Sequence, residues 1–177
     1  MKTKINHNTL KRAILSVTLL VSAILGPHSN ADRATSMMNV SVLIEYSCSI
    51  NTTPMSFGDY NGVGANASIA LEATATIISN CISGTGAHIT LNTGNFAGLG
   101  SSDSPIRRMS AGEGKYLVYQ VYSDDSRDTV WGNTTPTGLT LTGTGVPQSL
   151  TVYGSIPSAQ VVPEGDYSDQ IYVTISY

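Results

Sequence analysis

The chain has 177 residues, enough for one domain of ordinary size and too few for two. Apolar residues make up 41% and charged residues 12%, about half the usual charged share, which excludes a disordered or coiled-coil protein. Lys2, Lys4, Lys11 and Arg12 fall in the first twelve residues, so the remainder sets five cations against twelve acids, a net charge of −7 without the basic stripe of a nucleic-acid binder.

In chain order, the basic stretch ending at Lys11-Arg12 is followed by an apolar run, Ala13 to Leu25, and by the polar segment Gly26 to Ala31. Small residues at Ser29 and Ala31 complete the pattern of a secretory signal peptide over 1–31, cleaved after Ala31. The apolar run is too short to cross a bilayer as an anchor, since a spanning helix needs roughly 20 residues. The expected product is an exported, soluble chain that begins at Asp32.

The next segment, Ser36 to Cys48, alternates so that Met38, Val40, Val42 and Ile44 share one face. The alternation runs longer than a first strand usually does. Cys48 and Cys81 are the chain's two cysteines, and in an oxidising compartment such a pair is most simply a disulfide. Two free thiols are a weaker reading. A zinc site is weaker still, because His88 is the one histidine beyond the expected leader.

Period-two alternation then predicts strands with one buried face. Ile69, Leu71, Ala73, Ala75 and Ile77 line one side of a run, Ile89 and Leu91 another, and Leu117, Tyr119 and Val121 a third. Leu139 and Leu141, Leu150 and Val152, and finally Ile171, Val173, Ile175 and Tyr177 continue the series. Turn chemistry separates them, as in Gly84-Thr85-Gly86, Asn92-Thr93-Gly94-Asn95 and Pro163-Glu164-Gly165-Asp166. The sum is an all-β sandwich in which a Cys48–Cys81 bond would tie the first strand to the end of the next long one. The closing run reaches Tyr177 with no turn or polar tail after it, as in a sandwich that lacks its last strand, while the leading extension reads as a spare one.

Catalytic constellations are thin. His88 has no nucleophile motif around it, and Asp124, Asp125 and Asp128 lack calcium-loop spacing and read as a solvated turn. Asp166 and Asp169 read as turn residues rather than a glycosidase pair. Trp131 with Tyr119, Tyr122 and Tyr153 reads as packing before it reads as a sugar platform. No enzyme, metal or cofactor is expected.

Several segments together resemble the spore coat protein U domain, and within it the pilins of archaic chaperone-usher pili of the Csu type. They are Phe57-Gly58-Asp59-Tyr60, Cys81 with Gly84-Thr85-Gly86, Arg108-Met109, Leu117 to Tyr122, Trp131-Gly132, Val152 to Pro157, Gln160 and Gly165 to Asp169. The resemblance implies an incomplete immunoglobulin-like β-sandwich completed by a donor strand from another subunit. It implies a pilus subunit of the cell surface, exported through the periplasm, that supports attachment and biofilm. Its partners would be a periplasmic chaperone, an outer-membrane usher and neighbouring pilin subunits in a head-to-tail polymer, with no nucleic acid. On that basis 32–45 is the donor extension, with Met38, Val40, Val42 and Ile44 as donor residues, and 46–177 is the pilin domain. Ile171, Val173, Ile175 and Tyr177 form the terminal strand with which a chaperone pairs. A self-complemented spore or envelope coat protein and a carbohydrate-binding module are the alternatives.

Overall fold

The computed structural model describes residues 32–177; the expected signal peptide lies outside the described residues. The chain divides after Val42, and Leu43–Tyr177 forms the body. Eight strands build it: β1 (Cys48–Thr52), β2 (Leu71–Cys81), β3 (Gly86–Leu91), β4 (Arg107–Ser110), β5 (Tyr116–Tyr122), β6 (Leu139–Thr142), β7 (Gln148–Ile156) and β8 (Val173–Ser176). A three-residue 3₁₀ turn at Thr135–Thr137 is the one helical element among the described residues.

Two antiparallel sheets result, a five-stranded sheet in the order β1-β2-β7-β5-β4 and a three-stranded sheet in the order β6-β3-β8. The period-two pattern explains them: Ile77 and Cys81 on β2, Leu117, Tyr119 and Val121 on β5, and Val152 and Ile156 on β7 bury one face of the larger sheet. Ala87, Ile89, Leu91 and Leu141 do the same for the smaller. Successive side chains of a strand point to opposite faces, so each strand contributes every second residue to one shared core.

Cys48, which opens β1, is disulfide-bonded to Cys81, which closes β2, and the two residues are also register partners. Closing a loop of that length stabilises the folded state by roughly 3 to 4 kcal/mol on the chain-entropy view. Ile69 departs from the expected face: it precedes β2 and is exposed, its carbonyl accepting a bond from the Asn66 side-chain amide. The strand pattern gives way there to a turn built on Asn66.

Trp131 is fully buried and donates its indole N–H to the Ile89 carbonyl at 2.8 Å. Tyr119 is buried as well, so Trp131 and Tyr119 pack the core instead of forming a sugar platform. The fully buried Arg107 on β4 is less ordinary. Its guanidinium donates to the carbonyls of Asn92 (2.9 Å), Leu91 (2.8 Å) and Trp131 (2.8 Å) and to Gln120 Oε1 (2.6 Å). Gln120 in turn donates to the Pro105 carbonyl. One side chain thereby joins β4 and β5 of the larger sheet to the end of β3 in the smaller. Burial lowers the Arg107 pKa to about 10, against the nearby Tyr119 and Asp169, which raise it. The group keeps its charge at neutral pH.

A groove beside the free edge of β8

The register of the strands gives the sandwich a direction. Cys48 pairs with Cys81 while Thr52 pairs with Ile77, and Ser176 pairs with His88 while Val173 pairs with Leu91. β1 and β8 are therefore antiparallel, with Cys48 and Ser176 toward the disulfide end and Thr52 and Val173 toward the other.

β8 pairs with β3 along one edge, and along the other it has no strand partner among the described residues. An apolar groove of ≈ 330 Å³ runs beside that free edge. Its floor is the inner face of the larger sheet, with Ala75 and Ile77 from β2, Val152 from β7 and Tyr119 and Val121 from β5. One wall is Ser168 to Ile171 with Val173, which opens β8; the other is Thr52, which ends β1, and the irregular residues Thr53, Pro54, Met55 and Phe57 after it.

Local chemistry explains why the irregular walls stay in place. A side chain at Gly154 on β7 would meet the Met55 sulfur and come within 2.8 Å of the Phe57 ring, so a glycine there lets the Met55–Phe57 segment close onto the sheet. Phe57 then packs edge-on against Tyr119, with ring centroids 6.3 Å apart. The Tyr60 hydroxyl donates to the Pro157 carbonyl at 2.7 Å and accepts from the Gln160 amide at 2.9 Å. The Gln160 side chain pairs with both the N–H and the carbonyl of Val118. These contacts use Phe57, Tyr60 and Gln160, three residues of the segments that carry the resemblance, and they give those segments a physical role as pins of the groove walls.

Asp169 holds the other wall. Its carboxylate accepts the Tyr119 hydroxyl at 2.6 Å and the Asn95 amide at 2.8 Å. Gly94, with a φ of 80°, leaves room for that carboxylate where a side chain would collide with it. Burial, and then the bond to Asp169, push the Tyr119 hydroxyl well above its usual pKa of 10. A folded-state value raised above the unfolded one gives stability that is intact below pH 10 and lost as pH climbs through the raised value. Tyr119→Phe is expected to be less stable than the parent at neutral pH, by about 1 kcal/mol for the lost bond. It is also expected to lose less stability above pH 10, as measured by urea denaturation across pH.

The anticipated site residues fall into two groups. Val173 and Ile175 are half-buried on β8, and Ile171, expected in the terminal strand, is half-buried in the irregular backbone two residues before it. Tyr177 lies just past the strand and is exposed, so it does not share their packing. Met38, Val40, Val42 and Ile44 have no regular secondary structure and are between 72% and 87% exposed. The groove's floor and its wall at Met55, Phe57 and Tyr167 were not anticipated as site residues. His88 is half-buried on β3 with its Nδ1 3.0 Å from the Thr140 hydroxyl, and Asp124 accepts the Ser126 hydroxyl and the Asp128 and Thr129 amides. These bonds account for both residues as local structure.

A sandwich of two antiparallel sheets with an apolar groove beside the free edge of β8 defines the class of this fold. The sequence profile of the Spore Coat Protein U domain matches residues 34–174, and the chain belongs to that family. It is 34% identical over 178 residues to Protein U of Myxococcus xanthus, covering 96% of this chain and 99% of that one. The fold is also similar to a chain of the CsuC–CsuE chaperone–tip adhesion subunit pre-assembly complex from the archaic chaperone-usher Csu pili of Acinetobacter baumannii. There the TM-score is 0.51 at 20% identity, over 76% of this chain and 40% of that one, so the match spans less than half of the Csu chain.

Proposed function

We propose that this protein is a structural subunit of a secreted chaperone-usher pilus, polymerising by donor-strand exchange and supporting surface attachment and biofilm. The carrying observation is the pairing of an unfilled strand position beside β8 with an exposed segment whose apolar residues alternate at the period a filling strand needs. Residues 32–45 are the donor extension and 46–177 the domain that receives one. The donor's backbone completes the β8 edge while Met38, Val40, Val42 and Ile44 enter the groove. At roughly 1.5 to 3 kcal/mol each, four such side chains contribute on the order of 6 to 12 kcal/mol before ordering costs. A joint of that strength is long-lived without any nucleotide.

Strand direction decides what grows. A donor antiparallel to β8 enters with its own domain attached at the Thr52 and Val173 end, opposite the disulfide end where the recipient's own extension begins. The contact is then heterologous and repeats without closing, which yields a fibre. A parallel donor would bring two disulfide ends together and favour a closed pair. Before assembly a periplasmic chaperone covers the same edge, and an outer-membrane usher exchanges it for the next subunit. The fold shared with a chain of a chaperone–subunit pre-assembly complex supports the chaperone step.

The exported chain, run on a denaturing gel without boiling, is expected to give a ladder of multimers that collapses to one band on heating. A single monomer band before heating would support the self-complemented coat protein instead.

A further inference from the structure

A second pocket adjoins the groove and has no occupant in the donor assignment. It measures ≈ 530 Å³ and is lined by Met55, Phe57, Leu117, Ile156, Val162 and Tyr167. It shares Met55, Phe57, Met109 and Tyr167 with the first groove, so the two cavities lie side by side. Leu117 begins the inward face of β5 and Ile156 ends β7, which places this pocket beyond the Val173 end of the sandwich, away from the disulfide. Its rim carries Asp59, Glu164 and Asp166.

The donor pattern has an unused member to match. Even-numbered positions 38, 40, 42 and 44 share a face, and the next is Tyr46, whose ring is 70% exposed. After it the Ser47 carbonyl is already fixed by the Ile82 amide, and Cys48 is in the disulfide. An antiparallel donor advances toward the second pocket as its numbering rises, so the residue two past Ile44 arrives there.

We infer that Tyr46 is a fifth donor side chain, seated in this second pocket of a neighbouring copy of the chain, an inference that rests on the donor-strand reading above. The ring suits the aromatic and aliphatic lining, and the phenol hydroxyl donates to a carboxylate of the rim. The pocket sets aromatic and aliphatic side chains beside the carboxylates of Asp59, Glu164 and Asp166, a mixed lining that favours a ring bearing a hydroxyl over an aliphatic residue or a carboxylate. With Tyr46 seated, Ser47 alone separates the docked strand from the disulfide of its own domain, which makes the joint between subunits stiff. A donor ending at Ile44 would leave three free residues and a loose joint.

The test places the photoreactive residue p-benzoylphenylalanine at Tyr46 in one full-length exported chain and at Ile44 in another, with cross-linked peptides read by mass spectrometry. Position 44 is expected to link to residues of the first groove, such as Ile171 or Val173, and position 46 to Leu117, Ile156 or Val162, each in a second copy. Intermolecular linking from 44 with linking from 46 to other places, or to none, overturns the role of Tyr46 and leaves the donor reading standing. Absence of intermolecular links from both positions overturns both. In parallel, Tyr46→Ser is expected to leave fibres that form but dissociate at least about tenfold faster on heating. Unchanged dissociation counts against a seated Tyr46.

Discussion

Removing residues 32–44 is expected to abolish fibres while the exported chain persists, if at all, bound to its chaperone. The deletion takes away Met38, Val40, Val42 and Ile44 together and with them the on-the-order-of 6 to 12 kcal/mol assigned to each joint in the proposed assembly. The single variant Val42→Asp tests the same point without shortening the chain. Val42 is exposed, so the substitution removes no core contact from its own domain. In the neighbour's groove it places a carboxylate over Ile77, Val121 and Val152, where a buried charge without a partner costs several kcal/mol. Expected is a folded, secreted subunit with an intact disulfide and few or no multimers by light scattering. Normal multimers from Val42→Asp would contradict the donor assignment.

Arg107→Met is expected to cost about 3 kcal/mol or more and to unfold the domain at body temperature in a marginal background. Methionine nearly keeps the volume, but it leaves the carbonyls of Leu91, Asn92 and Trp131 and the Gln120 side chain without their donor inside the core. Arg107→Lys should restore little, since one ammonium cannot reach four acceptors spread around a planar fork. Urea midpoints of the three chains check this. An unfolding free energy for Arg107→Met within about 0.5 kcal/mol of the parent would show that Arg107 is not the clamp between the sheets.

What the sequence made legible follows from one physical regularity. Strands that bury one face write it as period two, and β2, β3, β5, β7 and β8 stand where Leu71–Ile77, Ile89–Leu91, Leu117–Val121, Leu150–Val152 and Val173–Ile175 alternate. The Cys48–Cys81 bond follows from there being two cysteines in the chain. The groove walls are harder to read, because Thr53–Tyr60 and Val162–Gln170 are irregular backbone held by single contacts, such as Phe57 on Tyr119 and Asp169 on the Tyr119 hydroxyl. No periodicity announces such contacts; their trace was the family resemblance of Phe57 to Tyr60 and Gly165 to Asp169. Arg107 is hidden for a related reason: its partners are mainly backbone carbonyls, which carry no residue identity.

The central claim is that the vacant strand position beside β8 is filled by another copy. The most direct measurement is a cryo-electron-microscopy map of fibres assembled from the exported chain, at a resolution that shows side chains. The account predicts an added strand antiparallel to β8, carrying Met38, Val40, Val42 and Ile44 of the adjacent subunit over Ile77, Val121 and Val152. Density showing the position filled by the same chain's own extension, or left empty between joined subunits, would contradict it.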